Sequence, residues 1–83
     1  MYKVLVRLYV PMLDQQYDVW IPLNKRIYNV TLLLVKAIYD FSGGYYKPEE
    51  LPKLYNKSNS QLYPINITVK EAEIVNGTEI ILI

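Results

Sequence analysis

Ile27-Tyr28-Asn29-Val30-Thr31-Leu32-Leu33-Leu34-Val35-Lys36-Ala37-Ile38-Tyr39-Asp40-Phe41 is the stretch on which the reading of this chain turns. Ile27, Val30, Leu34, Ala37, Ile38 and Phe41 recur at helical spacing and form an apolar stripe about four turns long. A second set, Tyr28, Leu32, Val35 and Tyr39, repeats at i, i+4, i+7 and i+11 on the opposite side, leaving only Asn29, Lys36 and Asp40 as a polar strip. Gly43-Gly44 follows directly, the residue type that releases a helix into left-handed backbone. The spacing predicts one helix over 27–41, packed by its first stripe on a sheet built from the flanking segments.

Upstream, residues 3–9 (KVLVRLY) carry Val4, Val6 and Leu8 on one side and Lys3, Leu5, Arg7 and Tyr9 on the other, the period of a half-buried strand. Pro11 ends it, and Leu13-Asp14-Gln15-Gln16 supplies a hairpin loop. In Tyr17-Asp18-Val19-Trp20-Ile21 the odd positions face in and Asp18 and Trp20 face out; Pro22 closes this second strand. Asn24 is the candidate N-cap of the helix.

Downstream, GGYYKPEELP over 43–52 reads as a loop whose two prolines forbid continued helix. Leu54 and Tyr55 begin a short third strand, residues 56–60 make a polar turn, and Gln61-Leu62-Tyr63 a brief fourth strand. Thr68-Val69-Lys70-Glu71 fits a capping box and predicts a single helical turn through Ala72. Asn76-Gly77 offers positive-φ residues for a tight turn into Glu79-Ile80-Ile81-Leu82-Ile83, a strand apolar enough for the middle of a sheet.

With 83 residues there is room for one core, and a chain this size buries only roughly 60–65% of its unfolded surface. A hydrophobic share of 52% compensates, because no cysteine is present to staple the fold. Without cysteine or histidine, zinc of the usual nitrogen and sulfur type is excluded. The net charge is +1 with lysines and arginines scattered, so no basic stripe marks a nucleic acid or anionic membrane. MYKVLVRLYV alternates and is charged at Lys3 and Arg7, which fits neither a signal peptide nor a membrane span. For that reason the triplets at Asn29, Asn66 and Asn76 are not read as glycosylation sites.

Two strands, a long helix, two short strands, a capped turn and a final strand resemble the β-grasp order. The strand pairing follows from that likeness, not from periodicity: first and last strands parallel and adjacent, the helix crossing one face with the usual right hand. The residues resemble ubiquitin-like proteins over essentially the whole chain, most tellingly in the run Thr68 to Leu82 with its threonine, its isoleucine at Ile74 and its glycine at Gly77. Tyr17-Asp18-Val19-Trp20-Ile21-Pro22 followed by Ile27 and Val30 is similar to the family's second strand and the start of its helix. Among the branches, size and the YDV-x-IP step look most like the YukD/EsaB family of Gram-positive type VII secretion systems.

The resemblance implies an α+β fold: a four- to five-stranded mixed sheet with one helix, in a single ubiquitin-like domain over 1–83. It further implies a non-catalytic, cytoplasmic accessory that docks secretion-system proteins, without cofactor and without membrane insertion. The alternatives are a modifier or sulfur carrier and a plain oligomerisation module. Modifiers and carriers of this fold end in a flexible Gly-Gly tail; here Ile81-Leu82-Ile83 closes the chain and Gly43-Gly44 is internal, so conjugation is not expected.

Leu5, Trp20, Tyr55 and Ile81 should point away from the helix and, in β-grasp order, neighbour one another across the open face. Tyr55 and Ile83 stand at about the positions of the family's hydrophobic patch. Single exposed apolar residues are ordinary; a group of four with a tryptophan points to a partner or self-association surface. On the helix, Tyr28, Leu32, Val35 and Tyr39 are either covered by the 43–53 loop through Tyr45, Tyr46 and Leu51, or they form a second docking or dimer face. Glu49-Glu50 and Glu73 read as solvated, Glu71 as a cap, and no nucleophile has an adjacent base, so no enzyme is expected. The tyrosines number nine, but stacking on single-stranded nucleic acid also needs a basic groove, so that partner is not expected.

Overall fold

The computed structural model describes residues 2–83; Met1 lies outside the described residues. Five elements follow in order: β1 (Lys3–Val10), β2 (Gln15–Pro22), α1 (Ile27–Phe41), β3 (Leu54–Asn56) and β4 (Glu79–Leu82). The strands form one mixed sheet in the order β2-β1-β4-β3. β1 pairs antiparallel with β2 and parallel with β4, and β4 pairs antiparallel with β3. The most apolar strand thus has a neighbour on both sides, and the arrangement is the β-grasp implied by the element order.

Alternation along β1 buries Val4, Val6, Leu8 and Val10 and turns Lys3, Leu5, Arg7 and Tyr9 to the other face. On β2, Val19 and Ile21 are buried and Tyr17 is half-buried. The hairpin is longer than the periodicity indicated, because pairing runs to Val10↔Gln15. Residues 11–14 alone make the turn: Leu13 N–H donates to the Val10 carbonyl at 3.1 Å and Asp14 N–H to that of Pro11 at 3.0 Å. Asp14 takes φ 50°, a left-handed conformation aspartate tolerates, and Gln15 and Gln16 are released into the strand.

The expected stripe on α1 does enter the core through Ile27, Val30, Leu34 and Ile38. Thr31 joins them; its hydroxyl donates to the Ile27 carbonyl at 2.8 Å, so the polar group is satisfied. Phe41 departs from the stripe. It is 59% exposed at the last helical position and packs on Tyr17, ring centroids 5.6 Å apart.

Asn24 is not the N-cap. Arg26 holds that position with extended backbone and no side-chain cap. The free donors of the first turn are met from elsewhere: Ile27 N–H donates to the Ile67 carbonyl at 2.8 Å and Tyr28 N–H to that of Ile65 at 3.0 Å. A tertiary backbone contact has replaced the side-chain cap. At the other end Gly44 N–H donates to the Tyr39 carbonyl and Gly43 N–H to that of Asp40, a Schellman closure with Gly43 at φ 67°.

The predicted fourth strand at 61–63 shrinks to a single bridge, Tyr55↔Leu62. Asn56 closes the turn by accepting from Ser58 N–H at 2.8 Å, and the gap is spanned by Asn56 N–H to the Gln61 carbonyl, Tyr63 N–H to the Leu54 carbonyl and Asn56 Nδ2 to the Tyr63 hydroxyl at 3.0 Å. Pro64, which has no N–H, follows at once. The capping box forms in both directions: Thr68 N–H donates to Glu71 Oε1 at 2.9 Å and Glu71 N–H to Thr68 Oγ1 at 3.0 Å. Of Asn76-Gly77 only the glycine has positive φ, at 87°. Asn76 instead uses its side chain, whose Oδ1 accepts from Leu5 N–H at 2.8 Å.

Candidate protein-interaction surface

Leu5, Trp20, Tyr55, Ile81 and Ile83 all lie outside the buried core, and alternation turns them away from α1. Register then separates them. Leu5 stands opposite Trp20, and Ile81 stands opposite Tyr9 on one side and Tyr55 on the other. Between these two groups runs the row Asp18, Arg7, Glu79, with Arg7 Nε 3.6 Å from Asp18 Oδ1. At about 3.3 Å per strand residue, Leu5 and Tyr9 are roughly 13 Å apart. The expected cluster of four is therefore corrected to two groups divided by a charged row. The parallel offset of β4 on β1 is the cause, since Leu5 meets the Asn76-Gly77 turn where an Ile81 neighbour was expected.

The larger group is Tyr9, Tyr55, Ile81 and Ile83. Ile83 is 63% exposed, and its backbone exchanges hydrogen bonds with Lys53 at 2.8 and 3.0 Å, which carries the β4 alternation one step further. Tyr9 was missed as a member although its face was legible, because only the register brings it beside Ile81. Its hydroxyl donates to Asp14 Oδ1 at 3.0 Å, and Lys57 Nζ lies 5.6 Å from its ring centroid. That bond to a carboxylate holds the Tyr9 phenol above its ordinary pKa, so it stays a hydrogen-bond donor and not a base. The smaller group keeps Trp20 at 61% exposure beside Leu5.

The outer stripe of α1 is only partly covered. Val35 packs against the core, while Tyr28, Leu32 and Tyr39 remain 43%, 44% and 42% exposed. Of the loop residues expected to fold over them, Tyr46 goes into the core, and Tyr45 and Leu51 stay exposed. The loop reaches the stripe at one end, where Gly44 sits against the Tyr39 ring. A third apolar edge had not been expected: Leu33, Ala37 and Phe41 of α1 line a groove of about 310 Å³ with Trp20, Ile21 and Pro22 of β2. Leu33 falls on neither of the two stripes, but it precedes Ala37 and Phe41 by four and eight residues, the helical spacing that could have found this edge.

Among the carboxylates, Glu71 is held below the usual glutamate range, first by the Thr68 N–H and then by its hydroxyl, with Arg26 adding attraction. A carboxylate so stabilised is a poor proton acceptor, and its bonds belong to the turn. Among the described residues no group of three or more His, Cys, Asp or Glu is gathered, and no helix is long and apolar enough to cross a membrane.

No family model matches the chain, and no curated protein matches it. Solved structures do. The EccD5 ubiquitin-like domain from Mycobacterium xenopi superposes with a TM-score of 0.80 at 16% identity, covering 100% of this chain and 94% of that one. The ubiquitin-like domain of EccD1, a type VII secretion system protein of Mycobacterium tuberculosis, gives 0.79 at 13% identity, covering 100% and 99%. A chain of a toluene 4-monooxygenase complex with the inhibitor 4-bromobenzoate gives 0.77 at 17%, covering 96% and 95%. At these identities the likeness is one of fold, and the fold is ubiquitin-like: an α+β domain architecture of four mixed strands and one helix. It is similar to that of type VII secretion component domains.

Proposed function

We propose that the chain is a non-catalytic ubiquitin-like interaction domain serving a type VII secretion system, of the YukD/EsaB kind, and acting in the cytoplasm as one unit. It docks protein partners through the open face of its sheet, with Tyr9, Tyr55, Ile81 and Ile83 as the main anchors and Leu5 with Trp20 as a second contact. The observation that carries this reading is the bare face itself. It holds an apolar group bounded by charge, the pattern of an interface core and its rim. The likeness to the EccD domains supports the secretion setting.

Co-purification from a host with a type VII system tests it. A secretion-system component should be retained by the wild type and lost with Ile83→Asp, at constant melting temperature. Retention by both would remove the larger group from the proposal. A second reading, self-association through α1, is favoured by the exposed Tyr28, Leu32 and Tyr39. It calls for a closed dimer that Leu32→Asp dissociates and salt does not.

A further inference from the structure

β1 spans about 23 Å from Lys3 to Val10, within a body of 31 × 28 × 22 Å. The two ends carry opposite charge. At the start of β1, Lys3 and Lys70 border a pair of clefts floored by Leu23 and Pro22. Lys25 and Arg26 are tied there too, Lys25 by its carbonyl accepting from Val69 N–H and Arg26 by its bridge to Thr68. At the far end, beyond Val10, Glu49 and Glu50 border a groove of about 560 Å³ whose apolar lining includes Met12, Leu51 and Ile83. Asp14, at the end of the hairpin turn, and Asp40, in the last turn of α1, are also exposed near this end.

Among the described residues the only salt bridge is Arg7–Asp18, at mid-strand, so the charges of both ends make no close ion pair within the fold, Arg26 reaching Glu71 only by longer-range attraction. Lys53 and Lys47 moderate the acidic end, and two glutamates moderate the basic one: Glu71, already engaged with Thr68, and exposed Glu73, whose N–H donates to the Lys70 carbonyl at 3.0 Å. We infer that the acidic-rimmed groove at Glu49, Glu50 and Ile83 receives the basic end of a second copy of this chain, Lys3 and Lys70 facing the two glutamates. The complementarity joins two different patches of the same surface, so the contact is heterologous: each copy keeps one free end and the assembly extends. Exposed charges set the attraction, which makes it weak and dependent on salt.

Light scattering over a concentration series tests this with two charge-reversed variants, Glu49→Lys/Glu50→Lys and Lys3→Glu/Lys70→Glu, each checked for an unchanged circular dichroism spectrum. At about 0.01 M salt, where screening reaches only beyond about 30 Å, wild-type mass should climb past twice the monomer without a plateau. At about 1 M salt, with a Debye length of about 3 Å, it should fall to the monomer. Each variant alone should stay monomeric, and an equimolar mixture should regain the rise, because each offers the charge the other lacks. A wild type monomeric throughout the low-salt series overturns the inference, as does a plateau at the dimer. Association of either variant alone at the wild-type level overturns it as well. Should a variant not fold, Glu50→Gln and the salt series on the wild type decide in the same way. Ile83 belongs both to the open face and to this groove, but partner capture is read with the secretion component and end-to-end association with the four charge-reversed positions, so either proposal can fail while the other stands.

Discussion

The sheet's two faces are made by the same strands, residue by residue in alternation, yet they are organised differently. Under α1 the inward residues Val6, Leu8, Val10, Ile80 and Leu82 are all essentially inaccessible and merge into one core. On the open face the intervening residues, Leu5, Arg7, Tyr9, Glu79 and Ile81, fall into apolar and charged rows that do not mix. A shift of two residues keeps the same side chains inward, so the buried face stays apolar whichever of them stand side by side. An exposed face depends on which residue stands beside which, so the same small offset between β1 and β4 leaves the core whole and cuts the surface in two.

The sharpest way to break this contrast lies on the covered face. Leu34→Ala should destabilise the protein by about 2–5 kcal/mol in denaturant unfolding, since Leu34 is 3% exposed and its truncation opens the core. A near-neutral result would place α1 in the wrong rotation. Next in size is the capped turn that leads into β4: Thr68→Ala should cost about 1 kcal/mol by the same measurement. Its partner adds a pH dependence. The Glu71 pKa is lowered in the fold, so its contribution is present above the unfolded glutamate pKa and is lost as pH falls through the folded value. Melting temperatures of the wild type and Glu71→Gln should therefore differ at neutral pH and converge in acid.

Smaller effects are expected on the open face. A double-mutant cycle on Arg7→Ala and Asp18→Ala should return a coupling of about 0.2–1 kcal/mol, as for other exposed pairs. A larger value would mean that the charged row is a structural tie and not merely a divider. Trp20→Ala should shift stability by no more than about 0.5 kcal/mol. Outright unfolding would assign Trp20 to the core and refute the open face at that edge.

Much of this was legible in the chain. The span of α1, the in-and-out parity of β1 and β2 and the capping box at Thr68–Glu71 rest on local periods and local hydrogen bonds, which a linear pattern records. What escaped depends on segments far apart in the chain. Asn24 was a reasonable cap by residue type, but the donors it would have served are satisfied by the carbonyls of Ile65 and Ile67. Tyr9 was assigned to the correct side of its strand, yet its place beside Ile81 follows from a parallel register that no local pattern encodes. The sequence left open whether the 43–53 loop covers the outer stripe of α1 or leaves it as a second face; Tyr46 found its burial in the core, and Tyr28, Leu32 and Tyr39 stay exposed.

The most direct test of the open-face proposal is an amide chemical-shift map of the isotopically labelled domain, titrated with the secretion component recovered by co-purification. The expected result is a set of shifts confined to Tyr9, Tyr55, Ile81, Ile83 and their strand neighbours, with Leu5 and Trp20 following at higher occupancy. Shifts concentrated on Tyr28, Leu32 and Tyr39, with the open face unmoved, would contradict it.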